Sequence, residues 1–304
     1  MAIAPTPPTG SQAVSTPPKP RDEDLDFYGC THQGLVRKQN EDNYLLCSLH
    51  KTMRVISTSL PNPELLELPS QRLASFSMVA DGVGGHAGGE TASRAALEAM
   101  ASYATNAMEC FYRADPNQES VFLEAMREAA LESHAAVKRR AEESGGVAGM
   151  STTLTLAIGL WPKLYILQVG DSRLYRLRGG VLEQLTRDQT IAEDLVDQGI
   201  LPRANKFRSP FAHVLSSSIG GQTHPVVTAV ELAPGDVTLL CTDGLTKHVG
   251  DERIRERLSA LTSSEQACKA LVQDALDGGG TDNVTVVVLR AVRSGNGGGD
   301  GKKG

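Results

Sequence analysis

Carboxylates recur at four short, turn-rich stretches of this chain: Arg37–Asp42 (RKQNED), Asp81–Glu90 (DGVGGHAGGE), Thr242-Asp243-Gly244 and Thr281-Asp282-Asn283. Three of the four adjoin an apolar run that reads as a strand. A carboxylate at such a junction is poorly placed for packing and well placed for a divalent cation. Converging carboxylates repel one another unless a metal neutralises them, and hard oxygen ligands suit Mg²⁺ or Mn²⁺. Arg37, beside the first cluster, carries a planar fork that binds a phosphate bidentately. Asp171 adds a further acid, in Gly170-Asp-Ser-Arg173 between two expected strands.

Each position also has a plainer reading. Asp81-Gly82 is a common turn pair, although Gly82 would also let a backbone carbonyl approach a metal. Glu41-Asp42 reads equally as a solvated charged turn. Arg37 and Glu41 would form a simple ion pair on a helix, but the flanking pattern looks extended. Asp243 ends a buried-looking strand as an ordinary turn would, Asp282 fits an Asx turn, and Asp171 could pair with Arg173. Turns need no particular set of acids, however, and Asn, Ser or Gly would serve. His86 reads as a surface residue or a neighbour of a helix N-terminus, and His248 as structural. Gly82–Ala87 also fits a dinucleotide-type G-x-G-x-x-A, and Gly84–Thr91 comes near a phosphate-binding loop. In the latter, Glu90 stands where a Lys belongs, which inverts the electrostatics. In the former, a second long helix follows the first where a parallel strand is needed.

Other schemes leave little trace. There is no Gly-x-Ser-x-Gly elbow, no Cys followed six residues later by Arg, and no paired Cys/His zinc spacing.

The elements that must position these groups follow from periodicity. Strands are expected at Phe76–Ala80, Thr152–Leu160, Lys163–Val169, Arg173–Leu177, Val181–Leu185, Asp236–Cys241 and Val284–Val292. Helices are expected over Glu90 to about Asn106, Asn117 to about Glu143, Thr190 to about Gly199, and about 251–260 and 264–276. Residues 50–72 read as a hairpin connection or surface excursion. Residues 1–21 (rich in Pro, Ser and Thr) and 294–304 (rich in Gly) read as loose tails around one domain, 22–293. Strands in antiparallel order with long helices in pairs imply α+β layers rather than alternating βαβ units.

The whole chain sets outer bounds. It has 304 residues, 40% of them hydrophobic, and a net charge of −6. That balance gives no general attraction to nucleic acid or to an anionic membrane. No stretch approaches the roughly 20 apolar residues of a membrane span. The N-terminus lacks the basic start and apolar stretch of a signal peptide. Five scattered cysteines without a CxxC fit a reduced, cytoplasmic protein.

Seven ordered motifs then resemble the metal-dependent PPM/PP2C protein serine/threonine phosphatases, the bacterial branch in particular: RKQNED, VADGVGGHAGGE, GMSTTL, VGDSRLY, LTRDQT, CTDGLT and GTDNVTVVV. The resemblance spans about residues 27–292. It implies a four-layer αββα sandwich of two antiparallel β-sheets flanked by helices. It further implies that Asp81, Asp243 and Asp282 hold two Mn²⁺ or Mg²⁺ ions, with the Gly82 carbonyl as a further ligand. Glu41 and Asp42 would act nearby, partly through waters. Asp171 with Asp243 would hold a third, weaker ion, and Arg37 would bind the substrate phosphate. Residues 188 to about 218 would form a mobile flap. Eukaryotic members carry a His directly after the Asp-Gly, where this chain has Val83. The general acid is then expected to be metal-bound water, with His86 as second choice.

The expected reaction is hydrolysis of phosphoserine and phosphothreonine in signalling phosphoproteins by direct attack of a metal-bridging hydroxide. Expected partners are phosphorylated proteins, including a Ser/Thr kinase or its substrates, with no nucleic acid and no membrane, and the chain is expected to be a monomer. Two other readings share the scaffold: a non-catalytic binding module, against which stands the full set of carboxylates, and a phosphatase dedicated to one regulatory partner.

Overall fold

In the computed structural model, which describes residues 18–57, 59, 62, 68–83, 87–106, 119–145 and 149–292, the central strands of two sheets carry apolar side chains on both faces. The strands are β1 (Leu25–His32), β2 (Asn43–Met53), β3 (Leu68–Ala80), β4 (Gly82–Val83), β5 (Ser151–Thr152) and β6 (Leu154–Leu160). They continue with β7 (Lys163–Val169), β8 (Arg173–Arg178), β9 (Val181–Gln184), β10 (Val226–Glu231), β11 (Val237–Cys241) and β12 (Val284–Ala291). The helices are α1 (Ala87–Asn106), α2 (Glu119–Glu143), α3 (Ile191–Asp197), α4 (Asp243–Thr246), α5 (Asp251–Ser259) and α6 (Ser264–Asp277).

One sheet has the order β1-β12-β11-β8-β9 and the other β10-β7-β6-β3-β2, with antiparallel pairing throughout. Alternation along the strands builds three cores. Phe76, Met78 and Ala80 of β3 meet Ala92, Ala96 and Met100 of α1 and Met126, Ala130 and Val137 of α2. Leu239 and Cys241 of β11 and Val284, Val286 and Val288 of β12 meet Ile254 and Leu258 of α5 and Ala267, Leu271 and Ala275 of α6. Between the sheets, Val79, Ala157, Ile166, Leu174, Leu240 and Val287 form the third core. Each large aliphatic side chain buried this way stabilises the fold by about 1.5–3 kcal/mol. The result is the four-layer αββα sandwich, an α+β fold.

Local signals set the helices. In α6 the buried Ala267, Cys268, Leu271, Val272 and Ala275 follow helical spacing, and the Ser263 hydroxyl caps the start by accepting from the Gln266 amide. Thr190 caps α3 in the same way, through the Glu193 amide.

Several elements differ from expectation. The run read as Thr152–Leu160 splits at Thr153. Its first part pairs with Gly82–Val83 in a small ribbon of its own, and the rest joins the large sheet. Within 50–72, residues 50–53 and 68–72 are the outer arms of a hairpin, in keeping with the hairpin reading, since β2 and β3 pair from Asn43↔Ala80 out to Met53↔Leu68. The strands β1, β2 and β10 did not stand out in the sequence. β1 is interrupted by Asp26 and Gly29, and β2 (NYLLCSLHKTM) has no clean alternation.

Of the two expected tails, residues 1–17 and 293–304 lie outside the described residues. Residues 18–21 do not run free: the Lys19 ammonium donates to the Arg72 carbonyl, and the Arg72 guanidinium donates to the Pro20 carbonyl (2.6 Å).

Candidate active site

One end of the sandwich gathers the acidic stretches. Asp81 follows β3, where its carbonyl accepts from the Thr152 hydroxyl (2.8 Å) and the Thr153 amide (2.9 Å), while its own amide donates to the Thr153 hydroxyl (2.9 Å). The Thr-Thr of the GMSTTL motif thus fixes the Asp81 backbone. Gly82 runs so close to Gly89 that a Cβ there would meet the Gly89 backbone at 2.4 Å. Its amide donates to the Glu41 carbonyl (3.2 Å). Asp243 opens the one-turn α4, a correction to the plain turn considered from the sequence. Gly244 is required beside it, because a Cβ would meet the Asn283 carbonyl at 1.8 Å.

Asn283 ties the remaining loops together. Its side chain accepts from the Glu41 amide (2.9 Å) and donates to the Gln33 (2.7 Å) and Gln39 (2.9 Å) carbonyls. Asp42 lies behind the pocket wall, accepting on Oδ2 from the Thr242 and Thr285 hydroxyls (2.8 Å each).

Arg37, Glu41, Asp81, Gly82, Asp171, Asp243 and Asp282 all line one pocket of about 200 Å³. Of the sequence-derived set, only Asp42 stands behind the wall. Arg37 is not free for a phosphate as it stands: its guanidinium forks onto Asp282 at 2.8 and 2.9 Å. Asp171 does not pair with Arg173, which instead grips Asp188 with two bonds of 2.8 and 2.7 Å. The reason is direction. Arg173 shares a strand face with Tyr175, to whose hydroxyl it also donates (2.8 Å), whereas Asp171 precedes the strand and lines the pocket. His248 is structural, its Nε2 held by the Thr281 amide (3.0 Å). His86 lies outside the described residues. The region 188–218 contains α3 and a 3₁₀ turn at Arg203–Arg208, and it sends His213 and Leu215 into the pocket.

Sequence reasoning missed His213, Asn283 and Lys247. Lys247 sits one helical turn beyond Asp243 and bridges Asp243 Oδ2 (2.7 Å) and Asp282 Oδ2 (2.6 Å).

Electrostatics reflect the crowding. Burial pushes the Asp42 carboxyl up to about 7, opposed by its two hydroxyl donors and reinforced by Asp243 and Asp282. Burial and neighbouring carboxylates likewise hold Asp81 and Asp171 well above the usual range. Asp282 is the exception: burial would raise it, but Lys247 and Arg37 hold it below.

As the side chains stand, no group of three or more His, Cys, Asp or Glu among the described residues forms a metal cage. Protein cations occupy that role instead. Among the acids at this end of the sandwich, two buried oxygens nonetheless lack any hydrogen-bond partner, Asp42 Oδ1 and Asp243 Oδ1. Leaving such an oxygen unpaired costs about 1–3 kcal/mol or more, and an all-oxygen set of this kind suits Mg²⁺ or Mn²⁺. The residues therefore fit a divalent ion.

A pH effect follows for metal-free protein. Asp42 titrates near 3.8 unfolded and about 7 folded, so the folded state holds the extra proton in between. Stability is then highest at low pH within that window and falls as pH rises through it, by about 1.4 kcal/mol per pH unit for each such group. The lowered carboxyls Asp188 and Asp282 act below 3.8 and do not offset this. The melting temperature of chelator-treated protein is expected to be lower at pH 8 than at pH 5.5; a flat or rising profile would contradict the crowding.

Residues 67–278 match the family model described as protein phosphatase 2C. The chain belongs to the protein phosphatase 2C family. Relatives of this PP2C-family chain include the serine/threonine protein phosphatase PstP of Mycobacterium tuberculosis, 37% identical over 270 residues, which cover 88% of this chain and 45% of the relative. The chain thus spans just under half the length of that relative. The serine/threonine phosphatase stp of Listeria monocytogenes is 30% identical over 70% of this chain and 82% of its own length. Among solved structures, the M. tuberculosis phosphatase PstP/Ppp superposes with a TM-score of 0.70 at 30% identity, covering 88% of this chain and 99% of that one. The PstP catalytic domain in complex with two manganese ions gives 0.67 at 31% identity, covering 88% and 98%.

Proposed function

We propose that this chain is a metal-dependent protein serine/threonine phosphatase acting on phosphoserine and phosphothreonine. The observation that carries it is the convergence of Glu41, Asp81, Asp171, Asp243 and Asp282 on one pocket, with a buried Asp243 oxygen left unpaired. Asp81, the Gly82 carbonyl, Asp243 and Asp282 would hold two ions, Glu41 and Asp42 would support them, and Asp171 with Asp243 would hold a third. When bound, Mn²⁺ or Mg²⁺ would neutralise these acids and activate the bridging hydroxide that attacks phosphorus directly. The PstP catalytic domain in complex with two manganese ions supports the metal dependence.

The remaining work falls to the chain. Arg37 turns from Asp282 to the phosphate, where its fork takes two equatorial oxygens and stabilises their charge. Thr152, Thr153 and Asn283 keep Asp81 and the 33–41 loop in place, so that the acids need little reorganisation. Val83 offers no proton to the leaving alkoxide, so that step would fall to water at the metals, with His86 as second choice.

Phosphoproteins, a Ser/Thr kinase or its substrates among them, are the partners this reading requires. It also keeps the chain cytoplasmic and monomeric. The described cysteines Cys30, Cys47, Cys241 and Cys268 are free thiols, which suits a reducing compartment. The test is hydrolysis of p-nitrophenyl phosphate and of a phosphothreonine peptide with Mn²⁺. EDTA is expected to abolish both activities and added Mn²⁺ to restore them; turnover that survives chelation would refute metal dependence.

A further inference from the structure

We infer that Lys247 is an internal counter-ion that competes with the divalent metal for Asp243 and Asp282; the inference rests on the metal-site reading above. Its geometry comes from local structure. Lys247 lies four residues after Asp243, so the turn of α4 brings ammonium and carboxylate together. Asp282 arrives from the loop before β12 and completes the bridge at 2.6 Å. The Lys247 side chain is mostly shielded, with 21% of it exposed, and the two carboxylates at 15% and 14% are more so.

One ammonium at hydrogen-bond distance from both Oδ2 atoms occupies the space a shared ion would need. A Mg²⁺ ligated by both would sit about 2.0–2.1 Å from each oxygen. Ammonium and dication cannot both stand there. An ion shared by those two Oδ2 atoms therefore has to break two charge-assisted hydrogen bonds, whereas Asp243 Oδ1 carries none to break. In the metal-free protein the same bonds relieve repulsion among acids that crowd one pocket.

The displaced side chain has somewhere to go. Lys247 lines both the acidic pocket and an adjoining cavity of about 450 Å³, whose wall carries Asp251 and also Asp188, the latter already held by Arg173 and Lys206. A swing of one flexible side chain moves its charge from the first to the second. The consequence is a phosphatase tuned to a higher metal concentration than its carboxylates alone would set, with a metal-free form that is held together.

The test uses the full chain, with Mn²⁺ as the probe in titration calorimetry and thermal unfolding of the metal-free form as a second readout. Lys247→Met keeps the aliphatic stem and removes the charge. It is expected to tighten Mn²⁺ binding about tenfold, which equals about 1.4 kcal/mol, and to lower the melting temperature of metal-free protein. Lys247→Arg keeps the charge and is expected to bind Mn²⁺ about as weakly as the parent chain; it also serves if the Met variant folds poorly. An unchanged Mn²⁺ affinity in Lys247→Met overturns the inference, even if KM for substrate rises. A parent chain that binds no Mn²⁺ overturns the metal-site reading itself, and is thereby distinguished from failure of the Lys247 inference alone.

Discussion

Asp243→Asn is expected to stay folded and to lose at least about 10³-fold in kcat on p-nitrophenyl phosphate with Mn²⁺. Metal ions supply several kcal/mol of transition-state charge stabilisation, and each 1.36 kcal/mol is a factor of ten in rate. Asp243 is the acid with most claims on it: it would serve the two-ion set and the third ion together. The amide keeps the shape and loses the charge. The fold should not suffer, because Asp243 is one of the charges that push Asp42, Asp81 and Asp171 upward. The metal-free variant should melt no lower than the parent chain, while the rise in melting temperature on adding Mn²⁺ should shrink. Parent-like turnover in this variant would remove Asp243 from the chemistry.

The largest stability effect is expected at Asp188, away from the proposed reaction. Its carboxylate accepts both Arg173 bonds and meets Lys206 at 3.0 Å; Asp188 and Lys206 are buried and the Arg173 side chain is 12% exposed. Lys206 also meets Glu193 of α3. Burial alone would raise the Asp188 carboxyl, but Arg173 and Lys206 hold it below its ordinary range. Asp188→Ala strands Arg173 without a carboxylate. Breaking a buried pair from one side costs about 3–5 kcal/mol. For a domain of this size that lowers the melting temperature by roughly 10 °C. The same cluster pins residues 188–208 to β8, so hydrogen exchange of α3 should speed up in the variant. A loss within the range of exposed ion pairs, about 0–1 kcal/mol, would show that the cluster is better solvated than its burial implies.

What could be read in advance depended on whether the signal was local. α1 and α6 carry their periodicity in one window, and Asp81 and Asp243 each follow a short apolar run, so elements and acids were visible together. The Asp-Gly pairs were visible for the same reason, although only the fold shows that Gly244 is needed because the Asn283 carbonyl lies against it. β1 and β10 are sheet-edge strands, and β1 is broken by Asp26 and Gly29, so no clean run marked it. Arg37, Asn283 and Lys247 act across separations that no window covers: Arg37 reaches Asp282 and Asn283 reaches Glu41 from more than 240 residues away. Lys247 lies close to Asp243 in sequence, but its use emerges only once α4 is seen to be a helical turn. His213 enters the pocket on a connection with little pattern of its own. The Asp171–Arg173 pairing failed because nearness in sequence says nothing about direction once one residue sits in a turn and the other in a strand.

The most direct measurement is anomalous diffraction at the manganese edge from crystals of this chain grown with Mn²⁺. Two peaks are expected within coordination distance of Asp81, Asp243 and Asp282, one of them also near the Gly82 carbonyl, with Lys247 turned away. Absence of any peak between these carboxylates, with Lys247 still bridging Asp243 and Asp282 at saturating Mn²⁺, would contradict a shared dication site.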